Sequence, residues 1–177
     1  MERPNAWLTY SDADMQDLET VAKKYRHFLN VGKTERECIT QIVKEAEEAG
    51  YVSLEEKVKN GEALKAGDKV YQVGMQKIIA LYHMGEDDLA QGMNILCAHI
   101  DSPRLDIKQN PLYEDTDLAY LDTHYYGGVK KYQWVALPMA MHGVIVKKDG
   151  TVVNVTVGED EDDPCLLYTS PSPRDCS

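Results

Sequence analysis

Residues 93–100 are an apolar run of eight residues that contains no charged side chain. A run of this length is typical of a β-strand buried on both faces, and it is too short for a membrane-spanning helix, which needs about 20 apolar residues. Helical patterns precede the run in the chain. Because helices that flank a buried strand must cover its faces, we expect a layered α/β unit.

Two amphipathic helices are predicted near the N-terminus. Ser11 is suited to capping a helix in which apolar residues recur at helical spacing as far as Leu29. Thr34 and Glu37 form a capping-box pattern ahead of a second apolar series. Gly50 follows that series and can adopt the left-handed conformation that ends a helix.

The other predicted elements are mostly strands rich in β-branched and aromatic residues. They cover residues 51–54, 69–73, 77–83 and 118–125, and residues 55–66 are predicted as a loop or a surface helix. Asp149 and Gly150 separate two apolar segments at 139–147 and 151–157, which is typical of a β-hairpin. The change to consecutive strands at about Gly127 predicts that a second, all-β unit begins there.

Charge and cysteine content restrict the partners and the compartment. The chain has 19 basic and 30 acidic residues, a formal net charge of −11, and no cluster of Lys and Arg that would favour nucleic acid or an anionic membrane. It also begins without an apolar signal segment, so we expect a cytoplasmic protein. Cys38 and Cys97 lie in apolar stretches without metal-ligand spacing, which predicts buried, reduced thiols.

Polar residues stand at the end of the apolar run, the position where ligands bind in open α/β sheets. His99 offers an imidazole that suits zinc, and Asp101 offers a carboxylate that can hold the ring in one orientation. Residues two apart in an extended chain point the same way, so both side chains can face one cavity. The spacing alone favours a structural histidine that is satisfied by a local aspartate.

Four motifs in order carry a resemblance to a known family. They are His99-Ile-Asp-Ser-Pro-Arg-Leu-Asp-Ile-Lys108, Asn110-Pro-Leu-Tyr-Glu-Asp115, His124-Tyr-Tyr-Gly-Gly128 and Lys130-Lys-Tyr-Gln-Trp134. The chain resembles the aminopeptidase I and aspartyl aminopeptidase family of zinc metallopeptidases, in particular its bacterial branch, over residues 5–164. The resemblance implies that His99 binds one of two metal ions and that Asp101, as a catalytic residue, steers it.

The resemblance also implies an architecture and an activity. The expected fold is the N-terminal part of a three-layer α/β zinc-peptidase catalytic domain at residues 1–126, followed at 127–164 by the start of an inserted β domain. The parent enzyme is expected to release N-terminal amino acids from peptides with two Zn²⁺ per active site, and to form a homo-oligomer, a dodecamer. Cobalt and manganese are alternatives to zinc at such nitrogen and oxygen sites.

Residues 165–177 break with the rest of the chain and read as the translation of a sequencing-library adapter. We therefore expect a non-native tail on a fragment of a longer protein. The remaining metal ligands of the family are expected beyond residue 164, so the fragment itself is predicted to be inactive. Two other readings of the parent stay open: a two-metal amidohydrolase or deacylase, and a non-catalytic interaction protein.

Overall fold

The computed structural model describes residues 5–168, and the chain divides into two units, Met1–Ile100 and Asp101–Ser177. Helices and strands are both present, so the predicted mixed α/β character is confirmed. The predicted boundary between residues 126 and 127 stays a prediction. No helix within residues 5–168 is both long and apolar enough to cross a membrane.

The first unit combines three helices with a small sheet. Its elements are α1 (Asp12–Val31), α2 (Glu35–Glu48), β1 (Val52–Ser53), α3 (Leu54–Lys59), β2 (Lys69–Gly74) and β3 (Ile78–His83). Strand β1 pairs parallel to β2, and β2 pairs antiparallel to β3. Single 3₁₀ turns at Ala6–Leu8 and Leu89–Gln91 flank these elements.

The helix ends form as the capping patterns predict. Ser11 accepts a hydrogen bond from the backbone N–H of Asp14, whose carboxylate bonds back to the cap in a capping box. Thr34 and Glu37 form a second, reciprocal capping box. Gly50 has a φ of 86° and accepts the left-handed turn that ends α2 without steric cost.

The core of the first unit lies where α2 contacts β2. Ile39 of α2 and Val70 of β2 are fully buried, and Cys38 and Ala46 are nearly so. The predicted burial of Cys38 as a reduced thiol is confirmed. Tyr71, next to Val70, joins the same two elements through its hydroxyl, which donates a 2.7 Å hydrogen bond to Glu47.

The hydrogen bond between Tyr71 and Glu47 makes the free energy of unfolding depend on pH in the alkaline range. The hydrogen bond to Glu47 raises the pKa of Tyr71 from 10.0 to about 12. The folded state therefore keeps the proton that the unfolded state loses, and this contribution is complete below pH 10 and disappears as the pH rises towards 12.

We expect Tyr71→Phe to make the free energy of unfolding fall less steeply between pH 10 and pH 12, as measured by urea titration. Tyr82→Phe, on the neighbouring strand β3, is the matched control. An unchanged slope in Tyr71→Phe would show that the hydroxyl does not bind Glu47 in solution.

The second unit consists mainly of antiparallel pairs. Its elements are β4 (Arg104–Asp115), β5 (Leu118–Tyr126), α4 (Lys131–Trp134), β6 (Pro138–Met139), β7 (Met141–Val146), β8 (Val152–Val157) and β9 (Leu166–Leu167). Strand β4 pairs with β5, β7 with β8 and β6 with β9. The predicted hairpin around Asp149 and Gly150 is confirmed as the β7–β8 pair, which joins Val146 to Val152 in register.

Residues 93–100 do not form the predicted buried strand. This segment has no regular secondary structure, and Leu96 is fully exposed while Ile95 is 71% exposed. A buried strand needs a hydrogen-bonded neighbour and covered faces, and no strand within residues 5–168 pairs with this run. The predicted burial of Cys97 is wrong for the same reason, because its thiol is exposed.

The tail predicted at residues 165–177 is only partly described. Leu166–Leu167 forms β9 and pairs with β6. Residues 169–177 lie outside the described part of the chain. The assignment of the tail as non-native stays a prediction.

Candidate functional site

Asp101 is anchored to the end of strand β5. The hydroxyl of Tyr126 donates a 2.7 Å hydrogen bond to Oδ2 of Asp101, which is half-buried. Gly127 follows with a φ of 73°, and a Cβ built on it would lie 3.5 Å from the Cα of Pro103. The end of β5 therefore lies directly against the segment that carries Asp101.

Arg104 packs on the face of the Tyr126 ring. The two residues face each other as register partners of β4 and β5, and the guanidinium carbon lies 4.1 Å from the ring centroid. The Nε of Arg104 also donates a 2.7 Å hydrogen bond to Asp106. A planar guanidinium can stack on an aromatic ring and pair with a carboxylate at the same time. These contacts join four side chains into one cluster: Asp101, Tyr126, Arg104 and Asp106.

His99 and Asp101 fall on either side of the division between the units. His99 is exposed in the irregular segment of the first unit, and Asp101 begins the second. The imidazole and the carboxylate are donors of the kind that zinc accepts.

The number of ligands falls short of a zinc site. Zinc in proteins takes about four ligands. Within residues 5–168, no three His, Cys, Asp or Glu side chains come together in a way that would hold a metal ion. His99 and Asp101 are of the residue types that bind or support zinc, but within residues 5–168 they are too few to complete its coordination.

The other histidines of the second unit have structural contacts. His124 stacks on Tyr125, with ring centroids 5.3 Å apart. Nε2 of His142 lies 3.1 Å from a carboxylate oxygen of Glu159. Both side chains are therefore held by neighbouring residues of the second unit.

A polar cavity of about 440 Å³ lies in the first unit beside α3 and the start of β2. Its central cation, Lys57, lies 3.3 Å from Glu62 and 3.3 Å from Asp68. The bond to Asp68 raises the pKa of Lys57, and the backbone N–H of Lys65 lowers the pKa of Asp68. Because Lys57 of α3 pairs with both carboxylates, we assign this network to the support of α3.

Comparison with known proteins decides the family. Residues 28–169 match the family described as "Aminopeptidase I zinc metalloprotease (M18)". The chain belongs to the M18 aminopeptidase family. A "Probable M18 family aminopeptidase 1" of Clostridium acetobutylicum is 56% identical over 163 residues, which cover 92% of this chain and 35% of the relative. The Thermotoga maritima relative of the same description is 41% identical over 175 residues, covering 97% and 36%.

Solved M18 structures share the fold of this chain. "The Crystal Structure of Aminopeptidase I from Borrelia burgdorferi B31" gives a TM-score of 0.84 at 34% identity, over 93% of this chain and 40% of the other. The aminopeptidase I structure from Clostridium acetobutylicum gives 0.81 at 52% identity, over 98% and 38%. This chain therefore spans little more than a third of the length of its curated M18 relatives.

Sequence reasoning singled out His99 and Asp101 and missed Tyr126 and Arg104. Their contact depends on the pairing of β4 with β5, and β4 was not predicted. The sequence feature that could have revealed the hairpin is its two-residue turn, Thr116 and Asp117, which joins β4 to β5. Both turn residues have positive φ values, 51° and 62°, without the glycine that usually marks such a turn.

Proposed function

We propose that this chain is the N-terminal part of an M18 zinc aminopeptidase that releases the first amino acid from peptides. The observation that carries the proposal is the match of residues 28–169 to the zinc metalloprotease family. The identity of 56% to the Clostridium acetobutylicum relative, named a probable aminopeptidase, supports it. In this proposal residues 1–126 begin a three-layer catalytic domain and residues 127–164 begin an inserted β domain.

Within the proposed active site, His99 is one metal ligand and Asp101 orients it. A neutral imidazole binds zinc through one ring nitrogen, and a carboxylate near the ring fixes its tautomer and direction. When bound there, zinc would act as a Lewis acid and would lower the pKa of a bound water. The part of this chain in that chemistry is to provide one nitrogen ligand and to hold it in place.

The proposal assigns the remaining ligands, the general base and the oligomer to the parent protein. The relatives are almost three times as long as the segment they share with this chain. A homo-oligomer of dodecameric form and short peptide substrates belong to the same proposal, with zinc, cobalt or manganese as the metal. The 177-residue chain alone is proposed to be inactive, because the family's remaining ligands are expected beyond residue 164 and residues 5–168 do not complete a metal site.

The test is a full-length chimera in which residues 5–164 replace the matched part of the Clostridium acetobutylicum relative. Zinc-loaded chimera is given a peptide with a free amino terminus and the same peptide N-acetylated. We expect hydrolysis of the free-amine peptide only, since an aminopeptidase has to bind the amino group. The 177-residue chain under the same conditions is expected to release nothing.

The two alternatives give different results in this assay. Preference for the acetylated peptide, with release of acetate, would identify a deacylase or amidohydrolase. A folded, zinc-loaded chimera that cleaves neither peptide would favour a non-catalytic interaction protein. Either result would contradict the aminopeptidase proposal.

A further inference from the structure

The hydroxyl of Tyr126, at the end of β5, binds a side chain that lies outside the β4–β5 hairpin. Its 2.7 Å hydrogen bond ends on Oδ2 of Asp101, 25 residues earlier in the chain. A hydroxyl that donates to an ionised carboxylate forms a charge-assisted bond, which is about twice as strong as a neutral one. The bond restricts the rotation of the Asp101 carboxylate.

The ring that carries this hydroxyl is itself restrained. Arg104 lies over its face at 4.1 Å, and Arg104 is tied to Asp106 at 2.7 Å. Strand pairing fixes the backbone of Tyr126 opposite Arg104. A donor that is held by its neighbours orients a carboxylate more effectively than a freely rotating one.

We propose that Tyr126 is a positioning residue for Asp101, with Arg104 holding the tyrosine ring in the orientation that makes the hydrogen bond. This inference rests on the proposed function, since it concerns the carboxylate that orients the ligand His99. Groups bonded directly to a metal ligand commonly change metal affinity or activity about 10- to 100-fold when they are removed. Tyr126 acts one step further out, through Asp101, so its removal should have a smaller effect. Tyr126 itself touches neither metal nor substrate in this assignment.

The first test measures the hydrogen bond in the 177-residue chain by NMR. The ¹³C shift of the Asp101 carboxylate is compared between the unsubstituted chain, Tyr126→Phe and Tyr113→Phe. Tyr113 is the matched control, because it lies on the same hairpin and stacks on Tyr120. We expect the shift to move in Tyr126→Phe alone. Equal shifts in all three would overturn the proposal.

The second test measures zinc affinity in the full-length chimera by competition with a chelator. We expect Tyr126→Phe to weaken zinc binding by up to about 10-fold, the low end of the range for direct partners of a ligand, with the fold retained as judged by circular dichroism. Tyr113→Phe should bind as the unsubstituted protein does. Arg104→Lys keeps the charge and loses the planar stack, and should give a smaller weakening, which keeps the test valid if Tyr126→Phe fails to fold.

Asp101→Asn distinguishes the positioning role of Tyr126 from the role of Asp101 in the proposed site. If Asp101→Asn weakens zinc binding and neither Tyr126→Phe nor Arg104→Lys does, the positioning role is overturned and the proposed site stands. If Asp101→Asn also leaves zinc affinity unchanged, the role of Asp101 in the proposed function fails, and the role of Tyr126 fails with it.

Discussion

Replacing Ile39 with alanine is expected to lower the free energy of unfolding of the first unit by about 2–5 kcal/mol. Ile39 is fully buried between α2 and the sheet, where Val70 is the other fully buried side chain. The substitution removes apolar surface from the core and leaves a cavity that the surrounding helix and strand cannot fill completely. The measurement is urea-induced unfolding followed by circular dichroism.

The control for this substitution is Ile78→Ala on β3. Ile78 is 67% exposed, so the same change in side chain removes little buried surface. We expect a loss of about 1 kcal/mol or less there. Equal losses at Ile39 and Ile78 would show that the interface between α2 and β2 is not formed in solution.

The second large effect is expected for His99→Ala in the full-length chimera. Four-ligand zinc sites contribute roughly 10–16 kcal/mol of binding free energy, or about 3 kcal/mol per ligand. Loss of one ligand should therefore weaken zinc binding on the order of 100-fold. Competition with a chromophoric chelator measures the affinity, and peptide release measured at saturating zinc separates metal loss from damage to the catalytic step.

His27→Ala provides the comparison for His99→Ala. His27 is an exposed histidine in the C-terminal half of α1, outside the proposed site. We expect it to bind zinc as the unsubstituted chimera does. Zinc affinity in His99→Ala equal to that in His27→Ala would exclude His99 as a ligand.

Local interactions explain which parts of the fold were predictable. The caps at Ser11 and Thr34 depend on residues only three positions apart, and the hairpin at Gly150 depends on a short turn. Such features are contained in a few consecutive residues. A pattern in the sequence therefore identifies them directly.

Strand β4 was missed for a physical reason. Pro111 lies inside it, and the register between β4 and β5 shifts between Ile107 and Leu112. Proline cannot donate a hydrogen bond to a neighbouring strand and is typical of edges and bulges. Only the pairing with β5 turns this segment into a strand, and that pairing is not visible in the local pattern.

The candidate site also combines residues that a local pattern identifies with residues that only strand pairing brings into contact. His99 and Asp101 are two positions apart, so a short motif was enough to single them out as candidates. Tyr126 is 25 residues from Asp101, and its contact depends on the register of a hairpin. Positioning residues that act through tertiary contacts need a structure to be identified.

The exposed apolar run at residues 93–100 has a consequence for every solution experiment on the isolated chain. The run contains no proline and no charged residue, which is the composition of segments that add to the strands of other molecules. We expect self-association through these residues, so that apparent stability rises with protein concentration. Unfolding curves therefore need to be recorded over a dilution series and extrapolated to the monomer.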